Sequence, residues 1–392
     1  MCAMNVLMLN YEFPPIGGGG GQAHLNLLRQ YAGRQELKVD VLTCAPQPGL
    51  VTEMPAENVT IYKVGIRKKD LHFWRRIEVL TWLAKASWRY RRLVRQNSYD
   101  LAHAFFGFPT GWPCYRQAGR LPYILSLRGS DVPGQHGRLK LDYKVLAPVM
   151  RAIWNRASGL VACSEGLRER ALEFLPSASI QVIPNGVDLD RFHPSDGEPY
   201  TGQGPLRLLT VGRLSVTKRV EMLVDAVEGL LKGHVAVRLT VVGGGALEPG
   251  LRRRVADRGL GQWIELAGRV NADRVPDLYR EHDVFVSATL QEGMSNAMLE
   301  AMASGLPIVT TRCEGVEELI ADNGMVVGCA SAEAMAGAIR ELAQNPQRVG
   351  RMSQAARQRA TRYTWSAVAD RYIECYRQVI NEQRTTNDER ST

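Results

Sequence analysis

What most constrains the fold of this chain is an alternation that occurs twice: short apolar runs rich in β-branched residues, each followed by a stretch with helical periodicity. Runs at 5–9, 39–43, 60–64, 101–104, 123–127, 159–163 and 180–183 read as strands in the first half, and 206–211, 236–242, 263–267, 284–288, 307–310 and 325–327 in the second. Strands separated by helices need crossover connections, so each set predicts an α/β domain built on a parallel sheet. Between the sets, 193–205 is rich in Pro, Gly and polar residues and reads as the linker. The expected domains are 1–195 and 206–365, followed by a helix over 366–381 and a polar, fraying tail over 382–392. A length of 392 residues suits two domains, and 45% hydrophobic with 23% charged content excludes a disordered or collagen-like chain.

The seven cysteines are odd in number, scattered and never spaced C-x-x-C, so neither a disulfide framework nor a zinc site is indicated. The N-terminal run lacks a basic leader, and no apolar stretch reaches the roughly 18 residues of a membrane span. A cytoplasmic protein is expected. The net charge of +9 is concentrated: 67–96 holds ten basic residues and two acidic ones, leaving about +1 for the rest of the chain. Phe73, Trp74, Trp82, Trp88 and Tyr90 lie in the same stretch. Such a segment fits a helix on an anionic membrane surface, a nucleic-acid contact, or a solvated basic helix with its Trp residues turned inward.

Five glycines at 17–21 follow the first strand and open a helical stretch at Gln22. Glycines there let backbone N–H groups approach an anion at a helix N-terminus. Gly18, Gly20 and Ala23 also satisfy the dinucleotide fingerprint, with Asp40 downstream, although 11–16 separate strand from glycines where that fingerprint needs a tight turn. A second run, Gly243 to Gly245, ends the strand at 236–242, at the sheet edge where ligands of open α/β sheets collect.

The strongest local signal is 287–307: a strand, a glycine-containing loop, then a helix opening near Met294 and Ser295 and closing at Gly305 before Pro307. Free N–H groups at 293–297 and the helix dipole suit a phosphate or sugar hydroxyls. Glu292 and Glu300, about two helical turns apart, are expected to face one cleft and to accept hydrogen bonds from hydroxyls, because carboxylates repel phosphate. Arg213 and Lys218, on the loop after 206–211, are placed to clamp a diphosphate.

Taken in order, these motifs give the chain a family likeness. Along nearly its whole length it resembles the retaining nucleotide-sugar glycosyltransferases of family 4, which have the GT-B fold: two facing Rossmann-like α/β domains with parallel sheets and a C-terminal crossover helix. The likeness rests on the glycine loop, Arg128-Gly129-Ser130-Asp131, Gly212-Arg213 with Lys218, and the pair Glu292 and Glu300. Ser164-Glu165-Gly166-Leu167 and Pro184-Asn185-Gly186-Val187-Asp188 are further landmarks.

The resemblance implies that Arg213 and Lys218 hold the donor diphosphate, that Glu300 binds ribose hydroxyls and that Glu292 binds the donor sugar. Backbone at Gly293, Met294, Ser295 and Asn296 completes the sugar and phosphate contacts, and the base lies against Gly268, Arg269 and Val270. Gly19, Gly20 and Gln22 lie near the donor phosphate and the acceptor, and the last helix returns to the N-terminal domain. Arg128 and Asp131 complete the expected catalytic set.

The family commonly has His where this chain has Arg128. A permanently cationic, longer side chain suits an acidic sugar, a phosphate on the acceptor, or a pair with Asp131. Because a diphosphate leaves readily once its charge is stabilised, neither a metal nor another cofactor is expected, and no enzyme nucleophile is required. Asp188-Leu189-Asp190, a D-x-D string, reads as a turn after Pro184-Asn185-Gly186. The expectation is a metal-independent, retaining hexosyltransferase moving a sugar from a nucleotide sugar, UDP-linked on family frequency, to a glycan or lipid-linked acceptor. A membrane surface at 67–96 is preferred over nucleic acid. The alternatives are an NAD(P)-dependent oxidoreductase using 18–23 and a non-catalytic basic binding module.

Overall fold

The computed structural model describes residues 3–71, 73–134, 140–197 and 200–391. Cys2, Glu198, Pro199 and Thr392, which enter the sequence reading, lie outside the described residues. The chain forms two compact units: Met1–Asn185 with Trp365–Thr392, and Gly186–Thr364.

Unit 1 contains β1 (Met4–Leu9), β2 (Leu37–Ala45), β3 (Leu50–Ala56), β4 (Val59–Gly65), β5 (Leu101–Phe105), β6 (Tyr123–Leu127), β7 (Gly159–Ala162) and β8 (Ile180–Val182). They form one sheet in the order β3-β4-β2-β1-β5-β6-β7-β8, parallel except where β3 runs antiparallel to β4. The central strands read as near-continuous apolar runs because helices cover both faces; Val6, Leu7, Met8 and Leu9 are all fully buried. Only β3 was not expected. It lies at the sheet edge, has an almost wholly exposed burial pattern and contains Pro55, so it lacks the apolar signature of its neighbours.

Unit 2 contains β9 (Leu206–Val211), β10 (Val237–Val242), β11 (Ile264–Gly268), β12 (Val284–Ser287), β13 (Ile308–Thr311) and β14 (Gly324–Val327). Their order is β11-β10-β9-β12-β13-β14, every pair parallel. Counted from β9 this is 3-2-1-4-5-6, the Rossmann arrangement. Its topological switch point lies between β9 and β12, where chain direction away from the sheet reverses and a crevice opens at the carboxyl edge. Unit 1 has the equivalent switch between β1 and β5.

The units divide at Asn185/Gly186, upstream of the expected linker. Residues 187–192 are bonded into unit 2: Val187 N–H donates to the Tyr363 carbonyl at 2.6 Å, and the Arg357 guanidinium reaches the carbonyls of Phe192 at 2.9 Å and Ala303 at 2.8 Å.

The last helix, Trp365–Ser391, belongs to unit 1 and runs on beyond Asn381 through most of the segment expected to fray. Its apolar positions 365, 368, 369, 372, 373, 376, 379 and 380 follow helical spacing and join the core of Val6, Met8, Leu27 and Tyr31. A buried polar relay adds direction to that packing. The Tyr31 hydroxyl donates to the Tyr376 hydroxyl at 3.0 Å, which meets His103 Nδ1 at 2.7 Å. His103 Nε2 meets Ser126 Oγ at 2.7 Å, and Ser126 meets the Tyr372 hydroxyl at 2.8 Å. Burial holds His103 well below the ordinary imidazole range, so the ring is neutral and has one donor and one acceptor nitrogen for this chain of hydroxyls.

Candidate active site

In unit 2 the site is built from loops at the switch point. After β9, Gly212 N–H donates to the Val242 carbonyl at 2.9 Å and Leu214 N–H to the Gly244 carbonyl at 3.1 Å. The glycine run 243–245 permits this contact. At Gly243, with φ +130°, a Cβ would lie 1.9 Å from the Gly212 carbonyl oxygen, and at Gly245 one would lie 2.3 Å from that of Leu214. These glycines are therefore explained by backbone packing.

Arg219, in the left-handed region at φ 46°, stitches the loops together: Nε donates to the Ala288 carbonyl at 2.7 Å and Nη2 to Thr311 Oγ1 at 3.2 Å. Thr311 Oγ1 in turn donates to the Thr289 carbonyl at 2.7 Å, and Leu290 N–H to the Thr217 carbonyl at 2.8 Å. These bonds bring 288–292 against 217–218. Lys218 Nζ and Glu292 Oε1 consequently form an ion pair. Burial pushes the Lys218 ammonium down to about 8, and the charge of Arg213 acts in the same direction. Arg213 itself is exposed and, among the described residues, has no carboxylate within ion-pair distance. Arg213, Lys218 and Ser295 line a small crevice with Ser287, Val242 and Val211 at the ends of β12, β10 and β9.

The helix expected after this loop spans Asn296–Ala303. Ser295 is its N-cap and accepts from Met298 N–H at 3.3 Å; Gly305, at φ +74°, follows its end. Gly293 and Met294 are buried in the entering loop. Glu300 does not join the Lys218 and Glu292 pair. Its Oε2 accepts from the Tyr279 hydroxyl at 3.0 Å, and burial pushes its carboxyl up to about 7. Gly268 ends β11 at φ +66°, and Arg269 extends over Gly244, with Nε 2.9 Å from where a Cβ there would lie. Val270 follows, half-buried.

In unit 1 the glycine loop is more closed than the sequence implied. The helix begins at Gly19, inside the run. Gly20 lies under Phe106, whose Cζ would be 2.5 Å from an added Cβ, and Gly21 lies against the Glu12 carbonyl, at 2.7 Å. Glu12 Oε2 accepts from Gly18 N–H at 3.3 Å, so a carboxylate of the protein already stands at this helix entrance. Gln22 is half-buried and donates to Asn26 Oδ1 at 3.4 Å. Asp131 is buried and accepts from Gly107 N–H at 2.6 Å and Arg128 N–H at 2.8 Å. It fixes the loops after β5 and β6, which makes it a positioning residue. Arg128 does not pair with it; the guanidinium donates to Asn185 Oδ1 at 2.7 Å.

Asp40 removes the basis of the dinucleotide reading. It lies within β2, not beyond its carboxyl end, is 7% exposed and accepts from the Tyr99 hydroxyl. Asp188 makes the expected turn, its Oδ1 accepting from the N–H groups of Asp190 and Arg191 at 3.1 and 3.0 Å.

Residues 18–191 match Glycosyltransferase Family 4, and residues 205–345 match Glycosyl transferases group 1. A GDP-mannose-dependent alpha-(1-6)-phosphatidylinositol monomannoside mannosyltransferase of Mycolicibacterium smegmatis is 30% identical over 69% of this chain and 74% of its own. The chain belongs to glycosyltransferase family 4. A glycogen synthase of Mycobacterium tuberculosis is 26% identical over 95% of this glycosyltransferase and 94% of its own chain. Among solved structures, sucrose-phosphate synthase from Thermosynechococcus elongatus superposes with a TM-score of 0.82 at 19% identity, covering 97% of this chain and 100% of that one. Anabaena HepE, in complex with UDP and glucose, gives 0.71 at 18% identity, covering 95% and 99%. The glycosyltransferase thus has the GT-B fold, and an oxidoreductase is not favoured.

The sequence reading missed Arg219, Tyr279 and Glu12. Arg219 adjoins Lys218, but its left-handed backbone and its two loop contacts leave no mark in the sequence. Tyr279 lies 21 positions from Glu300, too far for any local pattern to pair them.

Proposed function

We propose that this glycosyltransferase moves a hexose from a nucleoside diphosphate sugar to a lipid-linked or polysaccharide acceptor, with retention of configuration and without a metal. The observation that carries the reading is the Lys218–Glu292 ion pair beside Arg213, which pairs with no carboxylate among the described residues, at the Rossmann switch point. A diphosphate entering there meets two cations. Lys218 exchanges its carboxylate partner for phosphate oxygen, and Glu292 is released to accept from donor-sugar hydroxyls.

As the anomeric C–O bond breaks, negative charge grows on the β-phosphate oxygen. Arg213, Lys218 and the backbone N–H groups at 293–296 stabilise it. The acceptor oxygen bonds to the anomeric carbon on the face the phosphate leaves, and its proton passes to the departing phosphate. Glu300 holds the ribose and the backbone of 268–270 holds the base. UDP is the proposed nucleotide, in keeping with the HepE complexes; GDP-mannose, named for the mycobacterial relative, is the donor tested beside it.

The acceptor is proposed to be met at an anionic membrane surface, which the helix Arg76–Gln96 is built to touch. One face packs inward through Trp82, Ala86, Tyr90 and Leu93. The other exposes Ile77, Leu80 and Trp88 at 67%, 58% and 63%, with Arg75, Arg76, Arg91, Arg92 and Arg95 exposed around them. Each basic residue near anionic lipid contributes about 1 kcal/mol. No helix among the described residues is long and apolar enough to cross a membrane. Replacing Arg75, Arg76, Arg91 and Arg92 by Gln should abolish co-sedimentation with phosphatidylglycerol vesicles and spare nucleotide binding; undiminished co-sedimentation overturns the membrane contact.

The donor reading is tested by thermal unfolding in EDTA with UDP, GDP, ADP, dTDP or NAD. A ligand at 100 times its dissociation constant adds about 2.7 kcal/mol, several degrees of Tm. A shift with a nucleoside diphosphate is expected; a shift with NAD alone contradicts the reading.

A further inference from the structure

Arg128 directly follows β6, at the carboxyl edge of the unit 1 sheet beside the β1/β5 switch point. Its loop is fixed by Asp131 to the backbone after β5. The side chain is half-buried, with Cζ 5.1 Å from the centroid of the Phe105 ring. One N–H edge is anchored on Asn185 Oδ1 at 2.7 Å. Among the described residues no carboxylate lies within ion-pair distance of it.

Three other cations drawn into the fold are met by a carboxylate or by several carbonyls. Lys68 meets Glu78 at 2.9 Å, Lys218 meets Glu292, and the Arg170 guanidinium donates to the carbonyls of Val132, Pro133 and Gly129 at 2.5, 3.3 and 3.1 Å. The groups that feel the Arg128 charge do not offset it. His24 is held neutral, its pKa lowered to about 3 by burial and by Arg128; His103 is neutral for the same reasons; and Tyr372 is a phenol. A cation kept in a crevice without a counter-ion costs stability unless a ligand supplies one. The guanidinium edge not used by Asn185 still presents a planar pair of donors, which matches phosphate or carboxylate oxygens.

We propose that Arg128 is a specificity-determining residue that binds an oxyanion carried by a sugar substrate, a phosphate ester or a carboxylate, in the crevice of unit 1. This deepens the transferase reading and rests on it for the word substrate, but the anion site lies within unit 1 alone. Two sources share this chemistry: a phosphate ester and a carboxylate, either one carried by the acceptor.

The test uses the full chain, with R128Q, R128K and R128H. Calorimetric titration compares inositol 1-phosphate with inositol, glucose 6-phosphate with glucose, and glucuronate with glucose. UDP binding, which reports on unit 2, is the control. The wild type is expected to prefer an anionic probe over its neutral counterpart, and R128Q to lose that preference by roughly 10- to 100-fold, with R128K recovering part of it and UDP affinity unchanged. Loss confined to the phosphate esters assigns a phosphate, and loss confined to glucuronate assigns a carboxylate; either supports the proposal. Equal treatment of anionic and neutral probes by the wild type overturns it, as does a preference that survives in R128Q, or in R128H should R128Q fail to fold. If UDP does not bind while the anion preference stands, the donor reading has failed and this one has not.

Discussion

Lowering the pH from about 8 to about 5.5 is predicted to weaken nucleoside diphosphate binding by up to roughly 30-fold through Glu300 alone. In the free protein burial holds this carboxyl at about 7, against an ordinary value of 4.5. A ribose hydroxyl donates more strongly to the ionised form than to the protonated acid, so bound nucleotide favours the carboxylate. Below pH 7 each unit then costs about 1.4 kcal/mol of binding, and above it the effect levels off. The same shift acts on the free fold with opposite sign. Stability contributed by the protonated form is complete below the ordinary carboxyl range and is lost as pH rises through about 7, by at most about 3 kcal/mol. Affinity for nucleotide should therefore rise over the window in which the free protein's Tm falls. Isothermal titration of UDP and GDP across this range, on wild type and E300Q, separates Glu300 from the nucleotide's own phosphate, because only the wild type carries the extra dependence. Parallel pH profiles for the two proteins would refute the assignment of Glu300 to the ribose.

Lys218→Ala and Arg213→Ala should each slow sugar transfer by on the order of 10²-fold through lost leaving-group stabilisation; steady-state rates within a factor of about two of wild type would remove them from the diphosphate site. Gly243→Ala drives a Cβ to 1.9 Å from the Gly212 carbonyl at a φ of +130°, and should cost about 3 kcal/mol or more, seen as a large fall in Tm or loss of soluble protein. Tyr376→Phe leaves the Tyr31 hydroxyl and His103 Nδ1 without their partner, and denaturant unfolding should show a loss of about 1–3 kcal/mol. An unchanged midpoint would mean that the relay adds nothing to the seating of the last helix.

Among the described residues, thirteen of the fourteen strands were legible because a strand covered on both faces leaves an apolar run that no helix of the same length requires. β3 was not, since an exposed edge strand has no such need. Residues 186–195 were misassigned for a related reason: Pro and Gly mark a change of direction, but Val187 bonding to Tyr363 depends on a partner 176 positions away. Within the proposed site, Arg213, Lys218 and Glu292 are legible as types in a spacing. Their arrangement is not, because it depends on Arg219, Thr217 and Thr289 tying three loops together. The glycine runs were legible as necessary, and the structure supplies a packing reason for them. At Gly20 and Gly243 the backbone or an aromatic ring stands where a Cβ would be, and at Gly18 the anion present is the carboxylate of Glu12.

The measurement that bears most directly on the central claim is the anomeric configuration of the product made in EDTA from α-linked UDP-glucose or GDP-mannose, with phosphatidylinositol mannoside or a glucan as acceptor, read by NMR coupling constants. The account predicts an α-linked product and stoichiometric release of the nucleoside diphosphate. A β-linked product, or transfer that appears only when a divalent metal is restored, would contradict it.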